Sequence, residues 1–111
     1  MAEAIIGDLR EIGIKAKLDF RETSAWVKDF FAGKLPMSVV PWPSSGVHDV
    51  SALVPVFFQS GQGDYARDPE ITNWFKTGSS ISDPNERKRL YRLGFEKLAR
   101  EALVVPLMTN V

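Results

Sequence analysis

The segment Ile14-Lys15-Ala16-Lys17-Leu18-Asp19-Phe20-Arg21 alternates apolar and polar side chains without a break. A period of two puts every apolar side chain on one face of an extended chain, so the segment reads as a half-buried strand. Its flanks narrow the fold further. Upstream, Ile5, Ile6, Leu9 and Ile12 recur at helical spacing, and Gly13 stands where a helix end takes a left-handed residue. Downstream, Thr23 or Ser24 can cap a second helix with the apolar stripe Trp26, Val27, Phe30 and Phe31, and Gly33 ends it. Pro36 to Val40 is then the next strand. This order predicts an α/β fold. Its core is a parallel β-α-β unit with strands near 14–21 and 36–41, joined by a right-handed crossover and flanked by helices near 2–12, 24–32 and 84–101.

The second half reads as mostly helical. Ser51 to Phe58 is apolar enough for a short buried helix, although Pro55 disturbs it. Gly61-Gln62-Gly63-Asp64 is a loop. Two helix starts share one device, Asp68-Pro69 and Asp83-Pro84, each with Asp at the N-cap and Pro in the first helical position. Glu86 completes a capping-box-like arrangement in the second. The first of these helices buries Ile71, Trp74 and Phe75 and stops near Gly78. The second turns Leu90, Leu93, Gly94 and Leu98 inward and ends near Ala102. Ala102 to Met108 is an apolar strand that Pro106 confines to an edge or a strand end.

Composition excludes several classes of function. At 111 residues the chain is one domain or a piece of one, and 1–111 is treated as a single lobe. Lys plus Arg and Asp plus Glu are 14 each, so no net charge draws the chain to nucleic acid or anionic lipid. Without cysteine there are no disulfides or thiolate metal sites, and one histidine makes a transition-metal site improbable. No apolar run approaches the roughly 20 residues that span a bilayer. Glu3 and Asp8 interrupt the N-terminal apolar stretch, which is therefore no signal peptide.

The candidate site is the turn-rich loop Pro41-Trp42-Pro43-Ser44-Ser45-Gly46-Val47-His48-Asp49. It opens from the carboxyl end of the second predicted strand, where ligands bind in α/β sheets. Trp42 is large, stiff and carries one N–H donor, which suits packing against a small molecule. Trp42, Pro43, Ser44, Ser45, His48 and Asp49 are the predicted ligand-binding residues. His48-Asp49 is a conceivable general-base pair, yet neighbouring residues rarely point the same way and no nucleophile stands beside them. A loop histidine and a helix-capping aspartate is the reading preferred. No catalytic residue, metal ligand or cofactor is assigned. The basic run Arg87-Lys88-Arg89-Leu90-Tyr91-Arg92 reads as a solvated helix face balanced by Glu86 and Glu96.

Read together, several motifs carry a resemblance. Ala2 to Leu9, Glu11-Ile12-Gly13-Ile14-Lys15, Trp42, Asp49, Asp68-Pro69-Glu70-Ile71, Asp83-Pro84 with Glu86-Arg87 and Tyr91, and Val105-Pro106-Leu107 follow one order. In that order the chain resembles the C-terminal lobe of family 5 extracellular solute-binding proteins. These are the peptide-, oligopeptide- and nickel-binding receptors of ABC importers.

The resemblance implies a type II periplasmic-binding-protein-like lobe, a fragment lacking its second lobe, and a periplasmic or extracellular location. It implies a small-molecule or peptide ligand enclosed by hinge closure and delivered to an ABC permease, with no enzymatic step. Departures from the family pattern bear on the ligand. Peptide-binding members carry an Asp about three residues after the loop Trp to pair with the ligand's amino terminus. Here Ser44-Ser45 fills that place, and a buried ammonium without a carboxylate is costly. Pro41, Val50 and Thr72 also replace the usual Gly, Pro and Asp. Two other classes stay open: the solute-sensing lobe of a cytosolic transcription regulator, and a small enzyme or stand-alone interaction module of α/β type.

Overall fold

The computed structural model describes residues 1–42 and 49–107. Among them all regular structure is helical. The helices are α1 (Ala2–Glu11), α2 (Thr23–Phe31), α3 (Val54–Phe58), α4 (Pro69–Ser80) and α5 (Pro84–Arg100), with a single 3-10 turn at Val50–Ala52 before α3. The chain divides into two compact units, residues 1–41 and residues 42–111.

In the first unit the helix ends follow from local chemistry. Past α1, Gly13 takes φ +83°, its N–H bonds the Arg10 carbonyl, and the Ile14 N–H reaches the Leu9 carbonyl. Past α2, Gly33 takes φ +67°, bonding the Phe30 carbonyl while Lys34 N–H reaches Asp29. Both are Schellman closures, which need a residue free to adopt a left-handed backbone. The predicted helices therefore form with boundaries near those expected. The apolar stripe of α2 is only partly covered, with Phe30 buried, Trp26 and Phe31 half-buried and Val27 exposed. Trp26 stacks on Phe30, and its Nε1–H donates to Ser38 Oγ at 2.8 Å.

The predicted parallel β-α-β core is overturned. Residues 14–22 and 38–42 have no regular secondary structure, and among the described residues there is no strand. Alternation selects which face of a strand would be buried, but its N–H and C=O groups still need a partner ladder. No backbone hydrogen bond among the described residues uses residues 15–21. The apolar positions lie open instead, with Phe20 87% and Met37 69% exposed. The strand expected at 102–108 is likewise absent over its described residues, 102–107.

The second unit holds the core. Val54, Phe58, Ile71, Phe75, Tyr91 and Leu98 form one buried cluster, with Leu53, Phe57, Ala66, Trp74 and Phe95 packed against it. Its centre is Phe75, fully buried and in ring contact with Phe58, Tyr91 and Phe95. Helices α4 and α5 approach closely because glycine stands at two contact points. A Cβ on Gly94 would lie 2.5 Å from Phe75 Cε1, and one on Gly78 would lie 2.9 Å from Tyr91 Cε2. Gly78 does not end α4, which continues to Ser80; it makes room for the Tyr91 ring.

Both predicted Asp-Pro helix starts form. Asp68 accepts from the N–H groups of Glu70 and Ile71, and Asp83 accepts from Asn85. Glu86 binds the Arg89 guanidinium rather than serving as the expected capping-box partner. The apolar stretch predicted as one helix over 51–58 is divided at Leu53. Pro55, which lacks an N–H, sits in the first turn of α3, where no intrahelical donor is required.

Candidate functional site

Of the predicted ligand-binding residues, Pro43, Ser44, Ser45 and His48 lie outside the described residues. Trp42 and Asp49 are described. Trp42 is 42% exposed and rests edge-on against the Phe57 ring, with centroids 5.0 Å apart and planes at 81°. One side of the indole is thus propped by the core's outer layer while much of its surface faces solvent. That is an intermediate placement, neither a core tryptophan nor a detached one.

Asp49 caps the 3-10 turn. Its Oδ1 accepts from Ser51 N–H at 2.8 Å and from Arg87 Nη2 at 2.7 Å, and Arg87 Nη1 lies 3.4 Å from Oδ2. Hydrogen bonds from Ser51, followed by the Arg87 charge, hold the carboxyl below the ordinary Asp range. Arg87 also lies over the Tyr91 ring, 4.9 Å from its centroid. A ligand ammonium seeking Asp49 would compete with a guanidinium already in place. Asp49 thus takes the capping role expected of it, while His48 lies outside the described residues.

Two other arginines of the basic run are paired locally. Arg89 binds Glu86, and Arg92 lies 3.7 Å from Glu96. Arg87 alone among these three reaches across to the loop before α3, a pairing 38 residues apart in sequence that no local pattern announces.

Two polar arrangements were not foreseen. Lys97, its side chain 12% exposed, donates to Asp68 Oδ2 at 2.7 Å and to Glu70 at the start of α4. Hydrogen bonding to Asp68 and then Glu70 raises the ammonium's pKa, and hydrogen bonding from Lys97 lowers that of Asp68. The cap and the lysine were each visible in the sequence, but nothing in the 29-residue spacing marks them as a pair. The second arrangement is the loop before α4. Buried Asp64 accepts from Ser60 N–H at 2.9 Å and from Arg67 N–H at 2.9 Å. These bonds hold Ser60 and Arg67 at φ +64° and +47°, conformations that cost a non-glycine residue energy.

Beside that loop lies an open depression of about 440 Å³ lined by Ser60, Gly61, Gln62, Arg67, Pro69 and Thr72. Neither Trp42 nor Asp49 lines it. Among the described residues no group of three or more His, Asp or Glu side chains is placed to hold a metal ion. Nor is any described helix long and apolar enough to cross a membrane. In comparisons with protein-family models, curated proteins and solved structures, nothing matches the chain.

Proposed function

We propose that the chain is a substrate-binding component of an ABC-type importer, contributing one wall of a cleft that takes a peptide-like or other small solute. Its ligand is passed to a membrane permease, its site of action is periplasmic or extracellular, and it catalyses no reaction. The reading rests on the ordered motifs that resemble family 5 solute-binding proteins, and it does not rest on a parallel sheet. The observation that carries it is Trp42, half exposed and braced by Phe57. A rigid aromatic held in that way offers a stacking surface at little entropic cost. Asp49 is held by Arg87, which disfavours ligands recognised through a free amine and favours peptides blocked at the amino end, sugars or other neutral solutes.

The experiment is calorimetric titration of the chain with a panel of peptides and sugars, repeated on Trp42→Ala. One wall of a two-sided cleft supplies about half the contacts while much of the association cost remains, so affinity should be lower by roughly three or more decades than in an enclosed site. The expected result is weak binding of one solute class, lost in Trp42→Ala with the melting temperature nearly unchanged. Removing such a stacking ring costs about 2–4 kcal/mol of binding. Sub-micromolar affinity for the wild-type chain would point to a self-contained binding module instead. Unchanged affinity with a sharply lowered melting temperature would return Trp42 to the core, where its loss costs roughly 3–5 kcal/mol of stability.

A further inference from the structure

The uncovered face of residues 14–20 fits a second copy of this chain. Ile14 is 48% and Phe20 87% exposed, Ala16 is exposed, and Leu18 is half-buried. Among the described residues no backbone hydrogen bond uses residues 15–21. The segment is therefore a strand-patterned stretch with free ladder groups, anchored at both ends. Ile14 N–H closes α1, and Arg21 bridges Asp19 and Asp29.

Charge and size select one pairing. Antiparallel pairing of two identical segments about a two-fold axis must set residues of equal parity opposite each other, or the apolar faces fall on opposite sides. With Lys17 on the axis, Ile14 faces Phe20 of the second copy and Ala16 faces Leu18. Lys15 faces Asp19 on both sides of the axis. Those are four apolar pairs and two opposite-charge pairs, against a single Lys17–Lys17 contact whose long side chains can splay into solvent. Moving the axis to Leu18 keeps two opposite-charge pairs, Lys17 with Asp19, but sets Lys15 opposite Arg21 twice and Ile14 opposite Glu22 twice. Moving it to Ala16 sets Lys15 opposite Lys17 twice. A parallel, in-register pair sets every charge against its like. Asp19 is ready for the favoured register, because both Arg21 contacts fall on Oδ2 and leave Oδ1 for the incoming lysine. The chain's zero net charge adds no repulsion between copies.

We infer that residues 14–20 pair antiparallel with the same residues of a second copy, centred on Lys17, to form an isologous dimer. A two-stranded ribbon is marginal alone, so the dimer is reversible and concentration-dependent. It does not rest on the solute-binding reading.

The chain has no cysteine, so single cysteines report the register without background. Under mild oxidation Lys17→Cys should yield a covalent dimer, because residues on the axis face each other within disulfide reach. Lys15→Cys alone should not, since its two copies stand about 13 Å apart along the strands, whereas a mixture of Lys15→Cys with Asp19→Cys should cross-link. Sedimentation of the wild-type chain should show a concentration-dependent dimer, and Phe20→Lys should be monomeric with unchanged helical circular dichroism. Equal cross-linking at all positions, preferred cross-linking of Lys15→Cys to itself, or a wild-type monomer at every accessible concentration would each overturn the inference.

Discussion

The two units meet the same apolar demand with opposite results. In the first, two helices close with well-formed Schellman turns, yet among its described residues only Phe30 is buried. In the second, helices of similar amphipathicity bring Phe58, Phe75, Tyr91 and Phe95 into one aromatic cluster. The difference lies in whether each apolar stripe finds a matching one. Helices α4 and α5 are joined by the three residues 81–83 and carry glycines where their rings meet, so each is the other's cover. The stretch between α1 and α2 has a strand's pattern, and a strand needs an edge to pair with before its apolar face is worth burying. Caps organise an element; only a partner makes it part of a core.

The largest test of that contrast is Phe75→Ala. Removing a fully buried ring from the centre of the cluster should cost about 3–5 kcal/mol and collapse amide protection through α3, α4 and α5. Hydrogen exchange on the wild-type chain, at concentrations where it is monomeric, should show α4 and α5 as the slowest amides and residues 15–21 among the fastest. Comparable protection in both places would erase the distinction between the units.

Gly94→Ala comes next. The added methyl would meet the Phe75 ring at 2.5 Å, and that ring is fully buried. A loss of about 1–3 kcal/mol is expected from overpacking, despite the better helix propensity of alanine. Gly78→Ala should cost less, because its contact with Tyr91 is looser. Thermal melting of both variants orders them, and a stabilised Gly94→Ala would mean that the helices are not in the close contact described.

Acid should loosen the second unit through the α4 cap. Asp68 has its folded pKa lowered, first by the hydrogen bond from Lys97 and next by that from Ile71 N–H. The folded state then binds the proton less readily than the unfolded one. This stabilisation is present above the unfolded carboxyl pKa near about 3.9, and it is lost as pH falls through the lower folded value. Asp68→Ala should remove about 1 kcal/mol of capping at neutral pH, and its melting temperature should fall less on acidification than that of the wild type. Parallel acid profiles for the two proteins would place the sensitivity elsewhere.

The smallest effect sharpens the comparison from the other side. Helix α5 ends with the same closure as α1 and α2, with Ala102 N–H bonding Ala99 and Leu103 N–H reaching Leu98. Here the left-handed position is held by alanine, at φ +51°. Ala102→Gly should therefore stabilise the chain by about 0.5–1 kcal/mol, whereas Gly13→Ala should destabilise α1 by a similar amount. Chemical denaturation reads both, and a destabilising Ala102→Gly would show that closure of α5 does not depend on that backbone geometry.

Helix starts and stops were legible in the sequence because they are local. An aspartate reaches the N–H groups two and three residues on, and a glycine past the last turn supplies the left-handed residue, whereas Gly78, read as a stop, proved to be a packing position inside α4. So the caps at Asp68 and Asp83 and the stops at Gly13 and Gly33 could be read directly. Of the six residues predicted for the site, Trp42 and Asp49 lie among the described residues, and Asp49 resolved into a cap engaged by a distant arginine. Whether Ile14 to Arg21 becomes a strand was not a local matter. Its pattern states a preference for one buried face, but the energy of a ladder lies in another segment's N–H and C=O groups. The close seating of Phe75 on Gly94, the Lys97–Asp68 bond and the choice of Arg87 for Asp49 were likewise decided by tertiary structure alone. Each joins groups that no spacing along the chain brings together, and only the packing of one helix against another sets the distances at which they meet.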